Sequence, residues 1–137
     1  MKADELMVGD WLRIVDDDTD QSFETRITGV SGLGNIYAPL PGGEHAYPFG
    51  VDCIEPIPIT PEILEKNFGV VERCSDGYCC VIKRELLLAF HLEATLDIWI
   101  AQPSDWPHLT YSLPLPRYVH ELQHALRICG IEKEIVL

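Results

Sequence analysis

Positive charge is scarce in this chain: 10 lysines and arginines stand against 22 aspartates and glutamates, a formal net charge of -12 over 137 residues. A field of that sign repels a phosphate backbone, so direct binding of DNA or RNA is not expected and a basic partner is favoured. Long hydrophobic runs are missing too. No segment reaches the roughly 20 apolar residues that a bilayer-spanning helix needs, which excludes membrane insertion by that route. The opening MKADELMVGD has no apolar stretch ending in a small-residue cleavage site, so the expectation is a soluble, cytoplasmic protein. Cysteine is sparse and irregular: five residues, an odd number without regular spacing, fit reduced thiols better than a secreted disulfide framework. Cys53 and Cys129 lie in apolar contexts and read as buried small hydrophobes. Phosphate-cradling loops of the G-x-x-x-x-G-K-[ST] and G-x-G-x-x-G kinds are absent, and no nucleotide or other cofactor is expected. A calcium loop is also incomplete. After Asp16, Asp18 and Asp20, Gln21 stands where the glycine belongs and Ile27 where the closing glutamate belongs, so the acidic run reads as a solvated turn.

What is present suffices for a core. With 47% hydrophobic residues, the chain reads as a single domain, 1–137, with a β-rich subregion over about 1–58 and a second over about 59–137. Trp11–Val15, Phe23–Val30, Asn35–Ala38 and Tyr47–Ile54 read as short strands. They are separated by the turns SGLG and PLPGG. Such spacing predicts an SH3-like barrel or a curled sheet. Thr60 is placed to cap a short helix with Pro61 in its first position, ending before Gly69. Val70–Cys74, Cys79–Lys83, Leu86–Leu92, Leu96–Ala101 and Leu109–Leu113 read as further strands, of which LLLAF also fits a helix. The last element is an amphipathic helix over 117–129. Pro116 suits its entry, Gly130 its left-handed cap, and Tyr118, Leu122 and Leu126 its packing face. The expected class is α+β, mainly antiparallel β with a C-terminal amphipathic helix.

That helix carries HELQH, residues 120–124, the H-E-x-x-H form in which two histidines one turn apart bind zinc and the glutamate activates water. His120 and His124 are the candidate ligands and Glu121 the candidate base. Helical phase, however, sets His120, His124 and Arg127 opposite the apolar stripe, on a solvent face. The extended zinc pattern also fails, since Arg127 stands where its glycine should be and Gly130 where its third histidine should be. Glu132 and Glu134 would have to fold back to serve as ligands. The motif therefore reads as the polar face of a packing helix, with no catalytic residue and no metal ligand. Cys74, Cys79 and Cys80 lack zinc-knuckle spacing, although His91 or His108 is available to pair with a thiol as a nucleophile's base.

The segments MKADELMVGDW, IEPIPITPEILEKNF and YVHELQHALRICGIEKEI together resemble a family of short uncharacterised proteins from gut bacteria and their mobile elements or prophages. The resemblance covers both ends and the middle of the chain. It implies no activity, cofactor or site residue. Members often carry glutamine at the position of Glu121, so the resemblance implies that the zinc-hydrolase reading loses its general base.

Three functional readings follow. The first is a non-enzymatic, acidic module that binds another protein, with Trp106 and His108 in the loop SDWPH and His120, His124 and Arg127 as contact candidates. The second is a small zinc-dependent hydrolase built on HELQH. The third is an acidic decoy that presents nucleic-acid-like charge to a basic protein.

Overall fold

In a computed structural model, which describes residues 5–16, 21–69, 71–82, 86–92, 94–100 and 109–137, the alternation in WLRIV does form a strand. Strand β1, Trp11–Asp16, buries Leu12 and Ile14 and leaves Arg13 and Val15 half-buried on the other side, the two-residue period of a pleated strand. The run Asp17–Asp20 lies outside the described residues. The chain divides into two compact units, one of Met1–Pro58 with Tyr118–His120 and one of Ile59–Arg117 with Glu121–Leu137.

In the first unit, the Phe23–Val30 stretch makes two strands rather than one: β2, Gln21–Arg26, and β3, Gly29–Val30. The break arises because the backbone changes partner. The Ile27 amide donates to the Asp10 carbonyl (2.9 Å), while the Thr28 amide donates to Tyr37 (2.8 Å). Strand β4, Ile36–Pro39, then pairs with β3 and with β5, Ala46–Phe49. The expected single strand Tyr47–Ile54 is also split, by a 3-10 turn at Val51–Cys53, after which β6, Ile54–Pro56, pairs with β1. A Cys53 amide to Gly50 carbonyl bond of 3.1 Å closes that turn.

These two switches give two open three-stranded sheets, β2-β1-β6 and β3-β4-β5. An SH3-like barrel is not formed: among the described residues no ladder joins the two sheets, and the Thr25 hydroxyl bridges them by donating to the Pro39 carbonyl (3.1 Å). Their shared core is Leu6, Leu12, Ile14, Ile27, Ile36 and Ile54, with Phe23 and Phe49 packed at its margin edge to face, centroids 6.2 Å apart.

The second unit opens with helix α1, Pro61–Phe68. Thr60 caps it by accepting from the Ile63 amide at 3.3 Å, and Gly69, at φ 83, ends it. Leu64 and Phe68 face inward. The buried Asn67 amide ties down the C-terminal tail: its Nδ2 donates to the Val136 carbonyl (2.7 Å) and its Oδ1 accepts from the Val136 amide (2.7 Å). Five strands follow as a meander: β7 Val71–Cys74, β8 Gly77–Ile82, β9 Leu86–His91, β10 Thr95–Ile100 and β11 Leu109–Pro114, in the spatial order β11-β10-β9-β8-β7. The ambiguous LLLAF run is therefore strand. Register sorts the sheet into two faces. Cys80, Leu88, Phe90, Leu96 and Ile98 line one face and are buried, and α1 packs on the β7–β8 end of the sheet. Cys74, Cys79, His91, Asp97, Trp99 and Ser112 share the other face.

Helix α2, Val119–Ile128, begins two residues later than periodicity predicts. The preceding backbone is extended: Tyr118 makes an antiparallel bridge with Pro58, and the Val119 amide donates to the Ile57 carbonyl at 2.8 Å. Leu122 and Leu126 are buried as expected, Tyr118 only half. Gly130 supplies the left-handed cap (φ 72), and the Ile131 amide returns to the Leu126 carbonyl at 2.9 Å. No helix among the described residues is long and apolar enough to cross a membrane.

Candidate functional site

The HELQH histidines differ from the expected pair of solvent-facing rings. His120 is 5% exposed, because it occupies the first turn of α2, where the Tyr118 ring stacks on its imidazole with centroids 6.0 Å apart and planes 7° from parallel. Gln123 is buried as well, whereas His124 and Glu121 are half-buried and Arg127 is exposed. The polar-face reading is thus corrected at His120, which is buried. Glu121 and His124 share a surface cleft with Leu113, Pro114 and Ile128 that does not include His120. Among the described residues, no three His, Cys, Asp or Glu side chains converge as a metal ion requires. Trp106 and His108 lie outside the described residues.

A denser polar constellation lies on the outer face of the meander, and of its members the sequence singles out only His91. The tight β7–β8 turn carries Asp76, and pairing of Gly77 with His91 brings that carboxylate to the imidazole: Nδ1 is 3.0 Å from Asp76 Oδ2. On the other side of the ring, Nε2 is 3.1 Å from Asp97 Oδ2. Asp97 Oδ1 in turn accepts from the Ser112 hydroxyl (2.7 Å) and the Thr95 hydroxyl (3.3 Å). The order is carboxylate, imidazole, carboxylate, hydroxyl. The hydrogen bond to Asp76, with the charges of both carboxylates, raises the His91 pKa, and the same bond lowers that of Asp76.

This geometry argues against a cysteine–histidine nucleophile with His91 as its base. Cys79 lies diagonally across from His91 on the same face, yet both imidazole nitrogens are engaged by carboxylates and neither is left to take a thiol proton. The Cys79 thiol is also pushed up to about 11, mainly by its hydrogen bond with Cys74 and by burial, the reverse of an activated nucleophile. Cys80 points to the core face, and burial pushes it to about 11 too. Cys129 is buried as predicted, but Cys53 is only half-buried. Ser112 donates to a carboxylate rather than to the imidazole, so it is not a serine nucleophile's arrangement either.

The network has a pH signature. A folded-state His91 pKa above the unfolded value of about 6.5 contributes stability below that value, lost as pH rises through the folded pKa. The depressed Asp76 contributes above the ordinary carboxylate value near 4, lost as pH falls through its folded pKa. NMR titration of the His91 ring is expected to show a midpoint above 6.5, moved down by Asp76→Asn and by Asp97→Asn. A midpoint at or below the free-imidazole value would refute the pairing.

A second feature of the same unit is an apolar cleft of about 230 Å³ lined by Ile59, Leu64, Tyr78, Phe90, Leu92 and Leu115, among others. Arg117 also lines it and is solvent-exposed. Its walls come from the loop before α1, from α1 itself, from the β8–β9 end of the sheet and from the segment after β11. Sequence reading missed it, because its apolar lining residues look like ordinary core positions until the register is known.

Comparison with protein-family models, with curated proteins and with solved structures yields no match to this chain.

Proposed function

We propose that this chain is a non-enzymatic protein-interaction module whose apolar cleft receives an aromatic side chain of a basic partner segment. The cleft beside Leu92 carries the reading. It combines carbon-rich walls and two aromatic rings, Tyr78 and Phe90, with an exposed guanidinium, Arg117. Aromatic anchors seated in such clefts supply most of the binding energy at many interfaces, and a guanidinium favours a ring face. The net charge of -12 supports basic flanks on the partner through long-range steering. Pro116 lines both this cleft and the neighbouring one that holds Glu121 and His124, so a partner that fills the first passes next to a carboxylate.

Selection of displayed peptides on the folded chain tests this. Enriched peptides are expected to carry an aromatic residue with lysine or arginine nearby. They should lose at least about tenfold in affinity, roughly 1.4 kcal/mol, against Leu92→Gln. Leu92 is 53% exposed, so this variant keeps the fold. Leu33→Gln, at a position 91% exposed in the other unit, should leave binding unchanged. Peptides without an aromatic anchor, or equal affinity for the Leu92 variant, would refute the reading.

A further inference from the structure

The outer face of the meander holds a pair of thiols that the interaction reading does not use. Cys74 closes β7 and Cys79 lies in β8, across a two-residue turn, with Sγ atoms 3.0 Å apart in hydrogen-bond contact. Cys74 is exposed and Cys79 half-buried, while Cys80, on the opposite face, is buried and takes no part. All five cysteines are free. The register explains the meeting: Cys74 pairs with Gly77 and Cys79 with Glu72, so the two thiols are diagonal neighbours on one face of a tight hairpin.

We propose that Cys74 and Cys79 form a dithiol site that reacts with small cationic disulfides and closes reversibly to an intramolecular disulfide. The exposed Cys74 thiolate attacks one sulfur of a low-molecular-weight disulfide RSSR. A Cys74–SR bond forms, and RS⁻ leaves and is protonated to RSH. The Cys79 thiolate then attacks Cys74 Sγ, forming the Cys74–Cys79 bond and expelling the second RS⁻ as RSH. The protein gives up two protons and two electrons, and RSSR takes up both. Excess thiol runs the sequence backwards.

The charges around the pair select the reagent. Glu72 and Asp76 both raise the Cys79 pKa through their negative charge, and Asp97 lies further along the same face, with His91 held between Asp76 and Asp97. Arg73 instead directs its guanidinium over the Tyr78 ring on the core-facing side, 5.7 Å from the centroid. An anionic disulfide is repelled from this face and a cationic one concentrated there. Because the Cys79 thiol is raised, the closing step accelerates as pH rises.

The experiment compares cystamine with the similarly sized anion 3,3′-dithiodipropionate on the reduced full chain, each rate divided by that of the same reagent with the neutral thiol N-acetylcysteinamide. Intact-mass and peptide mapping are expected to show loss of two hydrogens at Cys74–Cys79, with free thiols falling from five to three. The normalised cystamine rate should exceed the anionic rate about tenfold at low salt and converge on it at high salt. Cys79→Ser should stop at a mixed disulfide on Cys74. Cys74→Ser, at an exposed position, should lose no thiol pair, which keeps the test valid if the half-buried Cys79 variant folds poorly. Persistent adducts without closure in the native chain, equal normalised rates, or pairwise thiol loss in Cys74→Ser would overturn the proposal.

Discussion

Gly77→Ala is expected to destabilise the second unit by about 3 kcal/mol or more, the upper end of overpacking penalties, and to dismantle the polar network with it. A Cβ at this position would meet the Phe90 carbonyl oxygen at 1.6 Å, its carbon at 2.8 Å and the His91 Cα at 3.3 Å. All three are backbone atoms of the neighbouring strand, so no side-chain rotation relieves the clash, and β8 must move away from β9. That movement strains the Gly77–His91 pair and the Leu92 amide to Asp76 carbonyl bond of 2.8 Å. Without it the Asp76 carboxylate no longer reaches the imidazole. Urea unfolding and His91 titration on the same variant should therefore change together, the midpoint returning toward the ordinary imidazole range. A loss below about 1 kcal/mol with an unchanged His91 midpoint would show that the strands accommodate the methyl group, a size of effect typical of benign positions.

Local chemistry explains why some elements were legible in the sequence. Thr60, Pro61 and Gly69 bracket α1 with residues whose preferences are set within one turn, and the bracket holds in the structure. The meander was readable for a related reason: its first apolar runs end at short breaks such as Ser75-Asp76-Gly77, and consecutive strands pair by default. The N-terminal sheets were less legible. Whether Ile27 continues a strand depends on Asp10 and Tyr37 offering it and Thr28 new backbone partners, which a window around Ile27 does not contain. The same limit explains the missing barrel, since closure depends on which strand meets β5, and the turn at Gly50–Cys53 directs the chain to β1 instead.

The site followed the same division. HELQH stands out as a string, but its helical phase alone does not show that Tyr118 covers His120. The Asp76–His91–Asp97–Ser112 network was invisible as a string, because its members come from a turn and three strands and meet only through register. Its signal was present, though faint: Asp97 interrupts TLDIWI and Ser112 interrupts LTYSLP, each a polar residue at an alternate position that marks the exposed face of an otherwise apolar strand. Reading the two interruptions as partners required the β10–β11 pairing of Asp97 with Ser112.

Leu122→Ala should cost about 2–5 kcal/mol, the range for removing a buried leucine side chain beyond Cβ and leaving a cavity. Leu122 is 0% exposed and Leu126 1% exposed on α2, whereas Ile128 on the same helix is 72% exposed. The contrast makes an internal control: Ile128→Ala removes a comparable amount of hydrocarbon from a position already in water and should cost less than about 0.5 kcal/mol. Helix propensity cannot produce this difference, because alanine is the better helix former at both positions and would stabilise each slightly. The gap between the two variants therefore reports burial alone. It also bears on the HELQH question, since Leu122 lies between His120 and His124, and a large cost there with a small one at Ile128 fixes which side of the helix meets the core. Equal costs for the two variants in urea unfolding would mean that α2 is rotated from the phase described, and the half-buried positions of Glu121 and His124 would fall with it.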